Sequence, residues 1–125
     1  MINVHGSEDY EMESILDSVK EKIGIDSSET HFDSQLIDYI NSALAELHQV
    51  GVNETPFFIS DNQDQWGDFL ESGDPLVENM CRTYVAKNVQ LAFNPSPSSA
   101  MEQATKELCD RLLFRIHIAV DPPGE

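Results

Sequence analysis

The side chains best suited to chemistry are scattered in ways that exclude most of it. The four histidines, His5, His31, His48 and His117, fall in an N-terminal segment, a turn, a helix end and the last helix. None pairs with another at the three- or four-residue spacing that puts two zinc-binding imidazoles on one helical face. The acidic stretch from Asp61 to Glu71 invites a calcium loop. Counted from Asp61, however, the sixth position is Trp66, where such a loop turns on glycine, and the twelfth is Ser72, where a glutamate should bind through both oxygens. Carboxylate pairs such as Asp68 and Glu71 occur, but with 23 acids such spacings arise by chance. There is no glycine-rich phosphate loop, no Gly-x-Ser-x-Gly elbow and no Cys-x-x-Cys. Cys81 and Cys109 sit on apolar stripes and read as small buried hydrophobes rather than as a disulfide. Asn53-Glu54-Thr55 matches a glycosylation triplet that an intracellular chain would not use. These residues predict a protein without catalysis, cofactor or metal.

Charge carries more information. The chain has a formal net charge of −16, and residues 1–78 hold 18 of the 23 acids against only Lys20 and Lys22 among the seven Lys and Arg. The remainder, residues 79–125, therefore balances five acids (23 less 18) with five bases (7 less 2). A duplex carries one negative charge per roughly 1.7 Å of its axis, so this surface repels nucleic acid and excludes a conventional DNA-binding module. Three uses remain: a solvated acidic face, a docking surface for a basic partner, or a wall past which DNA slides without sticking. The N-terminus, Met1 to Gly6, lacks the basic flank and apolar core of an export signal, and no run approaches a membrane span. The expectation is a soluble, intracellular chain with no membrane partner.

The elements that must position these residues are helices. At 125 residues the chain suits one domain. Residues 1–11 read as a polar, acidic arm, residues 12–122 as the domain, and residues 123–125 as a tail. Ile15, Leu16, Val19 and Ile23 form a first apolar stripe that Gly24 stops. A turn follows, after which Phe32 staples and Asp33 caps a second helix marked by Leu36, Ile37, Ile40, Leu44 and Leu47, ended by Gly51. Residues 52–75 break the pattern, except that Trp66, Phe69 and Leu70 suggest one or two helical turns. Asp74-Pro75 opens another helix, with Val77, Met80, Cys81, Tyr84, Val85, Asn88 and Leu91 inward. The last helix carries the longest stripe, Met101, Ala104, Leu108, Leu112, Ile116 and Ala119, and the other helices are expected to pack against it. Its start is either Ser99, with Glu102 completing a capping box, or Ser96 ahead of Pro97. Residues 114–120 also alternate with period two, but no turn residue separates them from the run before, so the helix is read to continue to Asp121-Pro122-Pro123-Gly124. Lys106 with Asp110, and Glu107 with Arg111, are spaced to pair along it. Short links within each pair of helices predict an all-α fold: a four-helix bundle of two antiparallel hairpins, with a long aromatic-containing loop between helices two and three.

Taken in order, the motifs are similar to a known family. Phe32-Asp33, Leu36-Ile37, Ile40 to Leu44, Leu47 to Val52, Phe58 to Asp61 and Trp66 to Leu70 resemble the small head–tail connector proteins of tailed bacteriophages and prophages. So do Tyr84 to Val89, Phe93-Asn94-Pro95, Ser98 to Ala100, and Arg115 through Asp121-Pro122. The resemblance implies a structural virion protein at the neck, assembled in the bacterial host cytoplasm. It further implies a ring of identical subunits beneath the portal protein that extends the DNA channel and seats a downstream neck or tail-completion protein, with DNA passing unbound. Trp66, Phe69 and Leu70, the largest apolar cluster outside the four helices, are the residues expected to fill a groove in a neighbour or in the portal, with Phe58 and Arg115 beside them as candidate interface residues. The alternative place for these aromatics is the core between the helices. Two other functions fit the charge: an acidic DNA-mimic inhibitor, and a generic adaptor binding a basic partner.

Overall fold

In the computed structural model, residues 13–70 and 74–120 are described. The acidic arm, the tail, the stop at residues 121–124 and the turn at Gly73 lie outside them. Among the described residues the chain is all-α, with five helices and no strand: α1 (Ile15–Lys22), α2 (Asp33–Gln49), α3 (Trp66–Phe69), α4 (Pro75–Phe93) and α5 (Ser99–Val120).

Local chemistry accounts for the boundaries. Ser14 Oγ accepts from the Asp17 N–H at the start of α1, and Asp74 accepts from the Leu76 N–H at the start of α4, where Pro75 costs no hydrogen bond. Gly24 (φ 87°) and Gly51 (φ 105°) take the left-handed conformation past the ends of α1 and α2. That geometry lets the Ile25 N–H reach the Lys20 carbonyl at 2.8 Å and the Val52 N–H reach the Leu47 carbonyl at 3.1 Å, the six-to-one closure of a Schellman motif.

Two expected caps are corrected. α5 is capped by Ser98, whose Oγ accepts from the Met101 N–H at 3.3 Å, and not by Ser99 or Ser96. Asp33 is already inside the first turn of α2, and its carboxylate accepts the Lys20 ammonium at 2.8 Å instead of capping. The segment 114–120 is helical.

The organising helix is α4, against which α1, α2 and α5 all pack, rather than α5. Val77, Met80, Cys81, Tyr84, Val85 and Val89 are buried along it, whereas α5 buries only Cys109, Leu112 and Ile116. Because α5 rests mainly on this one neighbour, it seals a narrow seam, and the ends of its apolar stripe, Met101, Ala104 and Ala119, are exposed. Leu76 and Met80, early in α4, share a groove with Phe114 and Ile118, late in α5, so the two helices run antiparallel. The far end of α5 is tied to the end of α2, where His117 Nδ1 donates to the Val50 carbonyl at 3.0 Å.

Candidate functional site

The long connection between α2 and α4 folds back onto the molecule. Asn41, projecting from α2, donates to the Ile59 carbonyl at 3.0 Å and accepts from the Ile59 N–H at 2.7 Å, so one side chain holds the loop as a neighbouring strand would. Further on, the Ile15 N–H donates to the Asp64 carbonyl and the Trp66 N–H to the Glu13 carbonyl, both at 3.0 Å, which fastens the loop to the start of α1. α3 then drives its aromatic face inward. The Trp66 indole N–H donates to Ser18 Oγ at 2.8 Å, the Arg82 guanidinium lies 5.1 Å from the centre of the Trp66 ring, and Glu13 pairs with Arg82. Phe57 stacks at a tilt on Phe69 at 5.5 Å, and Asn53 donates to the Phe69 carbonyl.

The aromatics of this loop take the second of the two places open to them, the core. Trp66 is 1% exposed, and Phe69 and Leu70 are also buried, so this fold places all three in the core between helices and leaves them no surface for a neighbour. The loop is long because it closes the core. Phe58, at 57% exposure, and the exposed Arg115 are on the surface, but on separate elements, the loop and α5.

The exposed apolar surface lies elsewhere. Leu76 (64% exposed), Phe114 (65%) and Ile118 border a groove of about 370 Å³ that Met80, Arg115 and Ala119 complete. On α5, Arg111, Phe114, Arg115 and Ile118 follow the spacing i, i+3, i+4, i+7 and form one outward face. The expected pairs Lys106–Asp110 and Glu107–Arg111 do not close, and Glu107 accepts from Gln103 instead. Among the described residues, Arg111 and Arg115 have no carboxylate partner.

A second surface runs along α1. Glu13, Asp17, Glu21 and Asp26 line an open groove of about 620 Å³. The Ser28 backbone N–H and hydroxyl both donate to Asp26 and hold its carboxyl below the usual range, so this end of the groove stays negative.

Residues that sequence reasoning missed are the polar ones inside. Lys20 is fully buried, donating to the Ser27 carbonyl at 3.0 Å and to Asp33; its signal was its place four residues after Leu16, within the apolar stripe. Ser18, Asn41 and Arg82 left no pattern, because each serves a partner distant in sequence.

The thiols are buried and free, as their stripes suggested. Burial, with Glu78 nearby, pushes Cys81 from 9.0 up to about 12. The unfolded chain therefore releases this proton near pH 9 while the folded one keeps it, so the unfolded state binds fewer protons and stability falls as pH rises between 9 and about 12. Urea melts should lose about 1.4 kcal/mol per pH unit for each such group in that window, and Cys81→Ala should make the slope shallower, the remainder coming from Tyr84 and Cys109, which burial also raises. An unchanged slope in that variant contradicts the assignment.

Among the described residues, no group of three His, Cys, Asp or Glu is placed to hold a metal ion, and no helix is long and apolar enough to cross a membrane. No curated protein and no solved structure matches the chain. The family model described as phage connector protein does match, over residues 15–123, which takes in every helix from the first turn of α1 to the end of α5. With most of its length inside that match, the chain belongs to the phage connector protein family.

Proposed function

We propose that this protein is a structural head–tail connector of a tailed phage virion: it assembles as a ring beneath the portal protein, prolongs the DNA channel, and seats the next neck or tail-completion protein. Membership of the connector family carries the reading. Two features of the fold support it. The apolar groove between α4 and α5 is suited to protein contact, since clustered exposed hydrophobics of this kind mark interaction sites. The many acids of residues 1–78, where they face the lumen, would keep phosphate from adhering as DNA passes. Assembly takes place in the host cytoplasm, and the finished protein is a neck component.

Net charge also regulates when assembly occurs. Each copy brings −16, and at low ionic strength, where the screening length is about 30 Å at 0.01 M, copies repel before they dock. At 0.15 M the length falls to about 8 Å, and the long-range repulsion fades while close contacts persist. Native mass spectrometry should show the fraction in rings rising between these two conditions. A fraction that falls over the same range contradicts the repulsion argument. A DNA mimic differs in a second observable, for it competes with duplex for a basic enzyme and stays a monomer or dimer.

A further inference from the structure

We infer that the α5 face formed by Arg111, Phe114, Arg115 and Ile118 docks on the α1 face of a second copy of this chain, along Asp17, Glu21 and Asp26. This rests on the ring reading and adds to it which surfaces meet. Charge complementarity selects the occupant. Among the described residues, Arg111 and Arg115 make no ion pair, and neither do Asp17 and Glu21, whereas the other acids near α1 are engaged, Glu13 by Arg82 and Asp33 by Lys20. Of these four, the two bases sit on α5 and the two acids on α1, with Lys22 on α1 and Asp110 on α5 as the neighbouring charges of opposite sign that also lack an ion pair among the described residues.

Their spacing matches as well. Arg111 and Arg115 are four residues apart on α5, and Asp17 and Glu21 are four apart on α1, so each pair spans about 6 Å of helix axis and the two rows can face one another in register. Phe114 lies between the arginines and Ile118 one turn beyond them, which gives the basic row an apolar centre, and arginine and aromatic side chains are the types that dominate interface energies. Nucleic acid is a poor occupant for these arginines, because a chain of net charge −16 repels it. A contact between unlike surfaces is head-to-tail, leaves one free surface of each kind on every added copy, and closes into a ring when the rotation allows.

Charge exchange tests this, with assembly read by native mass spectrometry on the full chain, alone and with portal protein, and folding checked by circular dichroism. Asp17→Arg with Glu21→Arg should raise the concentration for half-assembly at least tenfold, although it changes the net charge from −16 to −12 (two acids lost, two bases gained) and so weakens general repulsion. Arg111→Glu with Arg115→Glu should do the same. The chain carrying all four substitutions has the wild-type net charge and should assemble within about threefold of wild type. The proposal is overturned if the α1 variant assembles as well as or better than wild type, or if the fourfold variant is folded but does not recover. It is also overturned if rings survive both exchanges and are lost only on removing residues 1–12, which assigns the groove to that segment, or if only portal capture is lost, which assigns the face to the portal. Wild-type rings that ignore the exchanges remove this contact and leave the connector reading intact. A wild-type chain that never assembles, even with portal, removes both.

Discussion

Replacing Trp66 by alanine is expected to cost about 3–5 kcal/mol, the range for deleting a large aromatic side chain from a core. Trp66 is among the largest fully buried side chains, and it sits where the α2–α4 connection, α1 and α4 meet. Its removal empties the space between them and takes away the indole donor to Ser18 and the surface under Arg82. Against a total stability of about 5–15 kcal/mol for a typical domain, the loss should leave a visible unfolded fraction under mild denaturant. Trp66→Phe keeps most of the volume and should lose about 1–2 kcal/mol, because Ser18 Oγ retains its bond to the Ile15 carbonyl at 3.0 Å. Urea unfolding followed by circular dichroism measures both. A loss below about 1 kcal/mol for the alanine variant, with ring formation abolished, would return Trp66 to the interface that the sequence alone suggests.

Asp33→Ala is expected to be the second most damaging change, at about 3 kcal/mol, because it strands a charge. The Lys20 side chain is 1% exposed and that of Asp33 26%. Without Asp33 the ammonium stays buried with the Ser27 carbonyl as its remaining partner. Lys20→Met removes the charge and keeps the apolar stem, while the Asp33 carboxylate, part of which already meets solvent, turns to water. It should therefore cost about 1 kcal/mol or less. The order of the two variants is the test, for Lys20→Met losing more than Asp33→Ala in the same urea melts would mean that the pair is not held as described.

Much of this was legible in the chain. Helices read themselves from spacing wherever an apolar stripe ended at a special residue, as Leu36 to Leu47 does before Gly51 and Val77 to Leu91 does after Pro75. The nature of the fold and the family followed from such segments. Less legible was which stripe ends face a neighbour, since Met101 and Ala104 have the same periodicity as Leu112 and Ile116 but are exposed on a helix that packs mainly against one other. Position in a long polar loop suggested that Trp66 and Phe69 were available to a partner; the loop's return across α2 through Asn41, and to α1 through Glu13 and Ile15, depends on pairings 18 and about 50 residues apart. Of the five candidate interface residues, Phe58 and Arg115 are exposed, and Arg115, beside Phe114, borders the groove between α4 and α5.

The proposed ring seated on a portal can be sought by native mass spectrometry of the purified protein with and without its portal, at about 0.15 M salt. A single closed oligomer is expected, of a size compatible with the portal's rotational symmetry, either free or bound to the portal assembly. Monomers that ignore the portal at every concentration, together with competition against duplex DNA for a basic enzyme, would contradict it and favour the mimic.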